Sequence, residues 1–279
     1  MFSTKFFVCL ITITLAGSIE AQTWNSNAGG WNTGYGTVYG TFGLAMATQN
    51  MYNTMQMNIM RANMRQAMIN KWGLAAVEKA EREAAARGTS NGSTASNASN
   101  ISLPPKPVPK YYGRFRPDPT VNSAKVLSDA LGETPEEKRL ITGIFTATKT
   151  AFEREAAPKG LKNNISGALT LFIITAVTVY NDKEPDEQAS DVLADAINTA
   201  IDEIPEFASL TNKQKQGYYD MLIGFSGLLL AGYTEGKQNG DAATLKAYRE
   251  LSGELIKLVL KISPERLQIS NGLITLSGN

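Results

Sequence analysis

Between residues 121 and 262 the chain repeats one pattern, in which apolar positions recur every three or four residues and short polar breaks interrupt them. The segment Asp186 to Ile204 illustrates the pattern. Its apolar residues fall on one helical face and its acids on the opposite face, namely Leu193, Ile197, Ile201 and Ile204 against Glu187, Asp191, Asp195 and Asp202. Such spacing predicts an amphipathic helix that packs on a shared core.

Start and stop signals divide this region into helices. Thr134, Pro135 and Glu137 form a capping box with proline at the first helical position, and Gly160 follows the end of that helix. The predicted helices cover residues 121–131, 134–157, 163–180, 186–204, 211–237 and 241–262. Asn271-Gly272 separates two short apolar runs within Leu267–Leu276, which indicates a type I′ hairpin. The sequence thus predicts a mainly α fold, a bundle of about six helices with a short C-terminal β-hairpin.

Two of these segments are apolar nearly all round, since no charged residue occurs from Asn163 to Asn181 or from Met221 to Thr234. Such a helix is either buried at the centre of a bundle or inserted in lipid. Threonine, serine and glycine dilute both segments, so we expect them to form the bundle centre. We further expect Gly217, Gly224, Gly227 and Gly232 to allow close approach of neighbouring helices.

The first part of the chain has a different composition. Lys5, the apolar run Phe6–Leu15 and Ala21 together fit an export signal over residues 1–21. We then expect a flexible leader rich in glycine and aromatic residues at 22–43, a long Met-rich helix at 44–87, a flexible linker of serine, asparagine and proline at 88–110, and the helical bundle domain at 111–279.

Charge supports this division. From Gln22 to Arg116 there are ten basic and three acidic residues, whereas from Val121 to Asn279 there are sixteen basic and twenty-one acidic residues. A basic front and an acidic back indicate separate modules with different contacts.

The composition also excludes several kinds of chemistry. The chain has no histidine, and its single cysteine, Cys9, lies within the predicted signal. The commonest proton shuttle, zinc ligands and thiol nucleophile are therefore missing after export, and no disulfide can form. We predict no catalytic, cofactor-binding or metal-binding residues, and no cofactor.

Three weaker motifs remain. Gly232 to Lys237 lacks the spacing of a phosphate loop and fits a helix end better. Asp182, Glu184 and Asp186 alternate as in a calcium loop, but Glu187 stands where glycine is needed. Two carboxylates suffice to hydrolyse a glycosidic bond, and the available pairs are Glu153 with Glu155 and Asp202 with Glu203.

Short motifs carry a family resemblance. Leu161–Asn164 precedes an apolar helix, Pro205-Glu206-Phe207 follows the fourth helix, and the tail contains Ser263–Leu267. Over roughly residues 115–276 the chain resembles an uncharacterised family of exported bacterial proteins, a domain of unknown function. The resemblance implies a bacterial source and a periplasmic or secreted location, and it implies no activity.

We therefore expect an exported, non-catalytic protein that binds or supports a partner in the bacterial envelope. The alternatives are a carboxylate-based hydrolase of envelope polysaccharide and a protein that associates peripherally with membranes through the Met-rich helix. The partner is an unidentified protein or a second copy bound through that helix. Acids interleave with its basic residues, so no nucleic acid is expected, and no integral membrane span is expected after signal removal.

Overall fold

A computed structural model describes residues 75, 77–79, 82, 109–132 and 134–276 of the 279-residue chain. Within the predicted helix over 44–87, residues 75, 77–79 and 82 are helical, and Arg82 Nε donates to the Glu78 carbonyl oxygen at 3.2 Å. The predictions for the signal at 1–21, the leader at 22–43, the rest of 44–87 and nearly all of the linker at 88–110 lie outside the described residues.

The described part of the bundle domain is mostly helical and ends in a hairpin of two antiparallel strands. The elements are α1 Ser123–Leu131, α2 Pro135–Ala156, α3 Ile165–Asn181, α4 Glu187–Glu203, α5 Pro205–Ser209, α6 Asn212–Asn239, α7 Ala242–Leu260, β1 Leu267–Ser270 and β2 Leu273–Leu276. Short 3-10 turns at Ala157–Lys159 and Pro264–Arg266 follow α2 and α7. The six predicted helices and the hairpin are confirmed, and the one-turn helix α5 is an addition.

Local side-chain bonds explain where the helices begin. Thr134 and Glu137 form the predicted capping box, in which Glu137 N–H donates to Thr134 Oγ1 at 3.2 Å. Thr211 and Gln214 form a second capping box at the start of α6. Asn164 caps α3 by accepting from Ser166 N–H at 3.1 Å. Each cap satisfies a backbone donor that the first helical turn leaves unpaired.

Helices α3 and α6 form the centre of the bundle. Every residue of α3 from Ile165 to Val179 is buried, and α3 packs against α4, α6 and α7. Helix α6 also packs against α1, α2 and α7. The prediction of a central pair is therefore confirmed. Among the described residues, no helix combines the length and apolar character needed to cross a membrane.

Two glycines of α6 let neighbouring helices approach closely. A Cβ at Gly227 would lie 2.4 Å from Thr148 Oγ1 on α2, and a Cβ at Gly232 would lie 1.8 Å from the Tyr248 ring on α7. Both distances are shorter than any real contact, so the packing requires glycine at these positions, as predicted.

The hairpin has the predicted turn. Leu267 pairs with Leu276 and Ser270 with Leu273, which leaves Asn271 and Gly272 as the two turn residues. Both have a positive φ, 50° and 75°, as a type I′ turn requires. The carbonyl oxygen of Gly272 accepts from Asp186 N–H at 2.7 Å, so the turn rests against the start of α4.

Candidate functional site

Residues 109–116, which we call the arm, lead from the predicted linker onto the bundle. The first residues of the arm are held by a carboxylate on the last turn of α4, and the rest of the arm is held by other bonds, among them Phe115 N–H to the Asn163 carbonyl oxygen at 3.0 Å. Asp202 accepts hydrogen bonds from the backbone N–H groups of Lys110, Tyr111 and Tyr112 at 2.7, 3.0 and 2.8 Å. Asp202 is only 6 % exposed, so these three donors take the place of the water that a buried carboxylate loses.

A cleft of about 310 Å³ lies between the arm, the corner that joins α2 to α3, and one side of α4. We call it the arm cleft. Its lining residues are Pro109, Lys110, Tyr111, Arg114, Lys159, Gly160, Leu161, Asn164, Ala194, Asp195, Asn198, Thr199, Asp202 and Glu203. Most of these side chains are polar, and both signs of charge are present.

Arg114 is held in place on the arm side of the cleft. Its guanidinium carbon lies 3.9 Å from the centre of the Tyr111 ring, which is a cation–π stack. Its backbone N–H donates to the Tyr111 carbonyl oxygen at 3.0 Å. A Cβ at Gly160 would come within 3.3 Å of Arg114 Nη2, so the guanidinium also lies against this glycine, whose φ is +67°. Within residues 109–132 and 134–276, no carboxylate lies at ion-pair distance from Arg114.

The floor of the cleft is a small polar network at the start of α3. Ser166 Oγ lies 2.7 Å from Asn164 Oδ1 and 3.0 Å from Asn198 Oδ1, and Asn164 Nδ2 donates to Asn198 Oδ1 at 3.4 Å. Asn164 is 2 % exposed. A Cβ at Gly113 would lie 2.5 Å from Asn164 Oδ1, so the arm fits over this network only with glycine there. The network therefore joins α3 to α4, and the arm packs over it at Gly113.

The two sides of the cleft differ in charge. Arg114 stands on the arm side, whereas Asp195 and Glu203 belong to α4. At the corner, Lys159 Nζ lies 2.5 Å from Asp191 Oδ1, and Lys110 is a further cation on the arm side. The cleft thus carries cations on the arm and at the corner, and acids on α4.

The two predicted carboxylate pairs have separate structural partners. Glu153 Oε2 lies 3.0 Å from Lys162 Nζ, whereas Glu155 pairs with Arg154 at 3.2 Å. Asp202 is engaged by the arm, and its neighbour Glu203 is exposed at the cleft.

The structure instead brings Glu153 together with Asp220, a residue the sequence analysis did not single out. Lys149 Nζ lies 4.0 Å from Glu153 Oε1 and 2.7 Å from Asp220 Oδ1. Ser123 Oγ donates to Asp220 Oδ2 at 2.6 Å, and Asp220 is 1 % exposed. This cluster joins α1, α2 and α6. The signal available in the sequence was that Asp220 immediately precedes the uncharged run of α6.

Two acids of the calcium-like motif, Asp182 and Asp186, lie at the ends of helices. Asp182 ends α3 with φ +52°, accepts from Tyr233 Oη at 2.6 Å, and pairs with Lys237 at 2.6 Å. Lys237, and to a lesser degree Tyr233, hold the pKa of the Asp182 carboxyl below its ordinary value. Asp186 precedes α4 and rests against Gly272. Among the described residues, no group of three or more acids, cysteines or histidines could hold a metal ion.

The segment Gly232 to Lys237 is not a phosphate-binding loop, because it is continuous helix within α6, which ends at Asn239. Lys237 points its ammonium at Asp182, which leaves no loop that could cradle a phosphate. The interpretation of this segment as part of a helix end is confirmed.

Comparison with known proteins identifies a family whose sequence model matches this chain. The family described as a family of unknown function, DUF6683, matches residues 3–276. The match is longer than the resemblance over 115–276 that the short motifs suggested. No curated protein and no solved structure matches the chain.

Proposed function

The chain belongs to the DUF6683 family, whose function is unknown, and we propose that it is a non-catalytic binding protein of the bacterial envelope. In this proposal the arm cleft holds a small polar ligand. The observation that carries the proposal is the preorganised cleft itself, whose arm wall is fixed by the three hydrogen bonds to Asp202.

Preorganisation favours binding because the protein does not have to order its own side chains when the ligand arrives. Arg114 is stacked on Tyr111, and the Asn164 side chain is bonded to Ser166 and Asn198. These contacts position the polar groups without any contribution from a ligand. A ligand therefore loses less free energy to ordering than it would on a set of mobile surface side chains.

The size and lining of the cleft restrict the ligand. A volume of about 310 Å³ is near the lower end of the usual range for ligand pockets, roughly 300–1,000 Å³. The charged side chains of both signs that line the cleft favour a ligand that carries polar or charged groups. We therefore propose a ligand of a few hundred daltons or less, or one end of a larger molecule.

The proposed location rests on residues 1–21, whose basic, apolar and small-residue parts have the order of an export signal. The arm continues directly from the predicted linker at 88–110, so the cleft lies where the predicted front helix would be tethered. We propose that the front helix contacts a partner or a second copy while the bundle binds its ligand.

The test is a cleft-blocking variant. Thr199 lines the cleft and its hydroxyl donates to the carbonyl of Asp195 four residues earlier, so Thr199→Tyr adds a ring there without removing a tertiary hydrogen bond. Thr146→Tyr is the matched control, because exposed Thr146 makes the same bond to the carbonyl of Thr142. Ligand-observed NMR with a library of polar fragments should find binders to the wild type and to Thr146→Tyr that Thr199→Tyr no longer binds.

Two results would contradict the proposal. Either no fragment binds, or the fragments bind equally well to Thr199→Tyr. Release of reducing ends from envelope polysaccharide, abolished in Thr199→Tyr and retained in Thr146→Tyr, would favour the carboxylate-based hydrolase instead.

A further inference from the structure

Resting on the proposed function, we infer that the arm cleft binds a saccharide. One face of a sugar ring packs on Tyr111, and the sugar hydroxyls bond to polar residues of the cleft. Three features of the molecule support this ligand class: the exposure of the Tyr111 ring, the backbone conformation of Tyr111, and a free amide donor in the same cleft.

Tyr111 gives the arm cleft an exposed aromatic ring. It is 45 % exposed and lines the cleft, whereas Leu140 and Leu258, the other large apolar side chains exposed among the described residues, do not. Arg114 covers one face of the ring, and within residues 109–132 and 134–276 the Tyr111 hydroxyl has no hydrogen-bond partner. Because nearly half of the side chain stays exposed beside Arg114, the ring keeps surface for a ligand.

The backbone of Tyr111 lies in the left-handed region, with a φ of 59°. The N–H groups of residues 110–112 converge there on the Asp202 carboxylate, as in an anion-binding nest. Glycine or asparagine adopts this conformation at lower cost than a residue with a bulky side chain. The nest therefore explains the backbone but not the ring, and a strained residue of this kind indicates a function for its side chain.

The other left-handed positions follow the usual preference more closely. Four further non-glycine residues of the described chain have a positive φ, and none of them is aromatic: Asn163, Asp182, Lys261 and Asn271. Tyr111 combines this backbone with an exposed ring and a place in the cleft.

Asn198 offers a free donor in the same cleft. Its Oδ1 lies 3.0 Å from Ser166 Oγ and 3.4 Å from Asn164 Nδ2, so these two residues fix the plane of the amide. Among the described residues, none accepts a hydrogen bond from Asn198 Nδ2. The NH₂ group is thus available to a hydroxyl oxygen of a ligand.

The remaining lining also suits hydroxyl groups. A hydroxyl both donates and accepts, so it can donate to the exposed Glu203 carboxylate and accept from the exposed Lys110 ammonium. A neutral saccharide carries no charge, so its binding does not require either sign to dominate the cleft. Of the described lining residues only Tyr111 is aromatic. A single ring matches a sugar, which presents one face of C–H groups, better than it matches a planar base that stacks on both faces.

The experiment uses ligand-observed NMR to measure the binding of cellobiose, lactose and N,N′-diacetylchitobiose to the purified chain, with adenosine as the comparison probe. Tyr111→Asn should weaken binding of the best disaccharide about tenfold or more, because the ring contact is lost. The same variant should not have a lower melting temperature, because asparagine tolerates the left-handed backbone. Tyr111→Phe keeps the ring and should bind as the wild type does.

Lys261→Asn is the matched control. Lys261 is exposed, has a φ of 57° at the end of α7, and does not line the cleft. Its substitution changes the same backbone preference away from the site, so disaccharide binding should stay at the wild-type level. Thr199→Tyr, which blocks the cleft, should abolish disaccharide binding.

Several results would overturn the inference: no disaccharide binds, the best one binds Tyr111→Asn and the wild type equally, or adenosine binds more tightly than the disaccharides. A melting temperature of Tyr111→Asn several degrees below that of the wild type would also overturn it, because the ring would then serve the fold. If other polar fragments still depend on Thr199 in the blocking experiment, the proposed binding function survives and only the ligand class is wrong. If no fragment depends on Thr199, both proposals fail.

Discussion

Replacing Asp202 by asparagine tests whether one carboxylate holds the arm on the bundle. Asp202 Oδ2 accepts from the N–H groups of Lys110 and Tyr111, and Oδ1 accepts from that of Tyr112. An asparagine side chain has only one oxygen. Its NH₂ must face at least one of these three backbone donors, and two donors cannot bond to each other.

The magnitude follows from the bonds lost. If the asparagine oxygen keeps Lys110 and Tyr111, the bond to Tyr112 disappears and the other two become neutral. Hydrogen bonds to a charged group contribute about 1.5–3 kcal/mol each and neutral ones about 0.5–1.5 kcal/mol. Because Asp202 is almost fully buried, water cannot replace the missing acceptor. We expect Asp202→Asn to lower the free energy of unfolding by about 2–4 kcal/mol.

Urea unfolding measures this loss, and hydrogen exchange followed by mass spectrometry locates it. Amide exchange should accelerate at residues 110–112. In the central helices α3 and α6, exchange should change only as much as the global free energy of unfolding changes. Glu203→Gln is the control. Glu203 is exposed on the same turn of the chain, so its substitution should change stability by no more than about 0.5 kcal/mol. Ligands of the arm cleft should bind Asp202→Asn more weakly, because the arm wall is released.

The reasoning would be refuted if Asp202→Asn unfolded within about 0.5 kcal/mol of the wild type. It would also be refuted if residues 110–112 exchanged at wild-type rates in the variant. Either outcome would mean that other contacts hold the arm and that the cleft wall does not depend on Asp202.

Three further predictions concern the bundle itself. Phe172→Ala should destabilise the fold by about 3–5 kcal/mol in denaturant melts, because Phe172 is fully buried in α3; a change below 1 kcal/mol would contradict its central position. Tyr218→Phe should raise stability by about 1–3 kcal/mol, because the buried Tyr218 hydroxyl has no hydrogen-bond partner among the described residues. Burial also raises the Tyr218 pKa far above its ordinary value, so stability should fall as the pH rises beyond about 10, and less steeply in the variant; a lower melting temperature for Tyr218→Phe would be the opposite result. Lys237 lowers the pKa of Asp182, so this ion pair stabilises the fold above the ordinary carboxyl pKa, and the stabilisation is lost as the pH falls. Below pH about 4, the free energy of unfolding of Lys237→Gln should therefore change less with pH than that of the wild type. Parallel pH dependences of the two proteins would disprove the coupling.

Local signals predicted the helices and the hairpin because they act over a few residues. The capping box of Thr134 and Glu137 and the Asn271-Gly272 turn stand in the structure where the sequence placed them. The uncharged segment from Asn163 to Asn181 predicted the buried helix α3 for the same kind of reason. A helix without a polar face has no side that favours contact with water, whatever its neighbours are.

Two features of the structure were not predicted from the sequence. The second carboxylate considered beside Glu153 was Glu155, because the two are close along the chain, but the structure pairs Glu153 with Asp220 through Lys149. The one-turn helix α5 was missed, because a segment of five residues has too little periodicity to predict a helix.

Only the tertiary structure decided the arm cleft. By periodicity Asp202 belongs to the polar face of α4 and predicts a solvated acid, yet it is buried under residues that lie 90 to 92 positions earlier in the chain. Likewise, nothing local to Arg114 indicates that its guanidinium will lie against Gly160, which is far along the chain. A helical period determines which side a residue faces, but the segment that packs on that side is chosen by the whole fold. The sequence by itself therefore determined the helices and their core, and the docking of the arm determined which polar residues form a site.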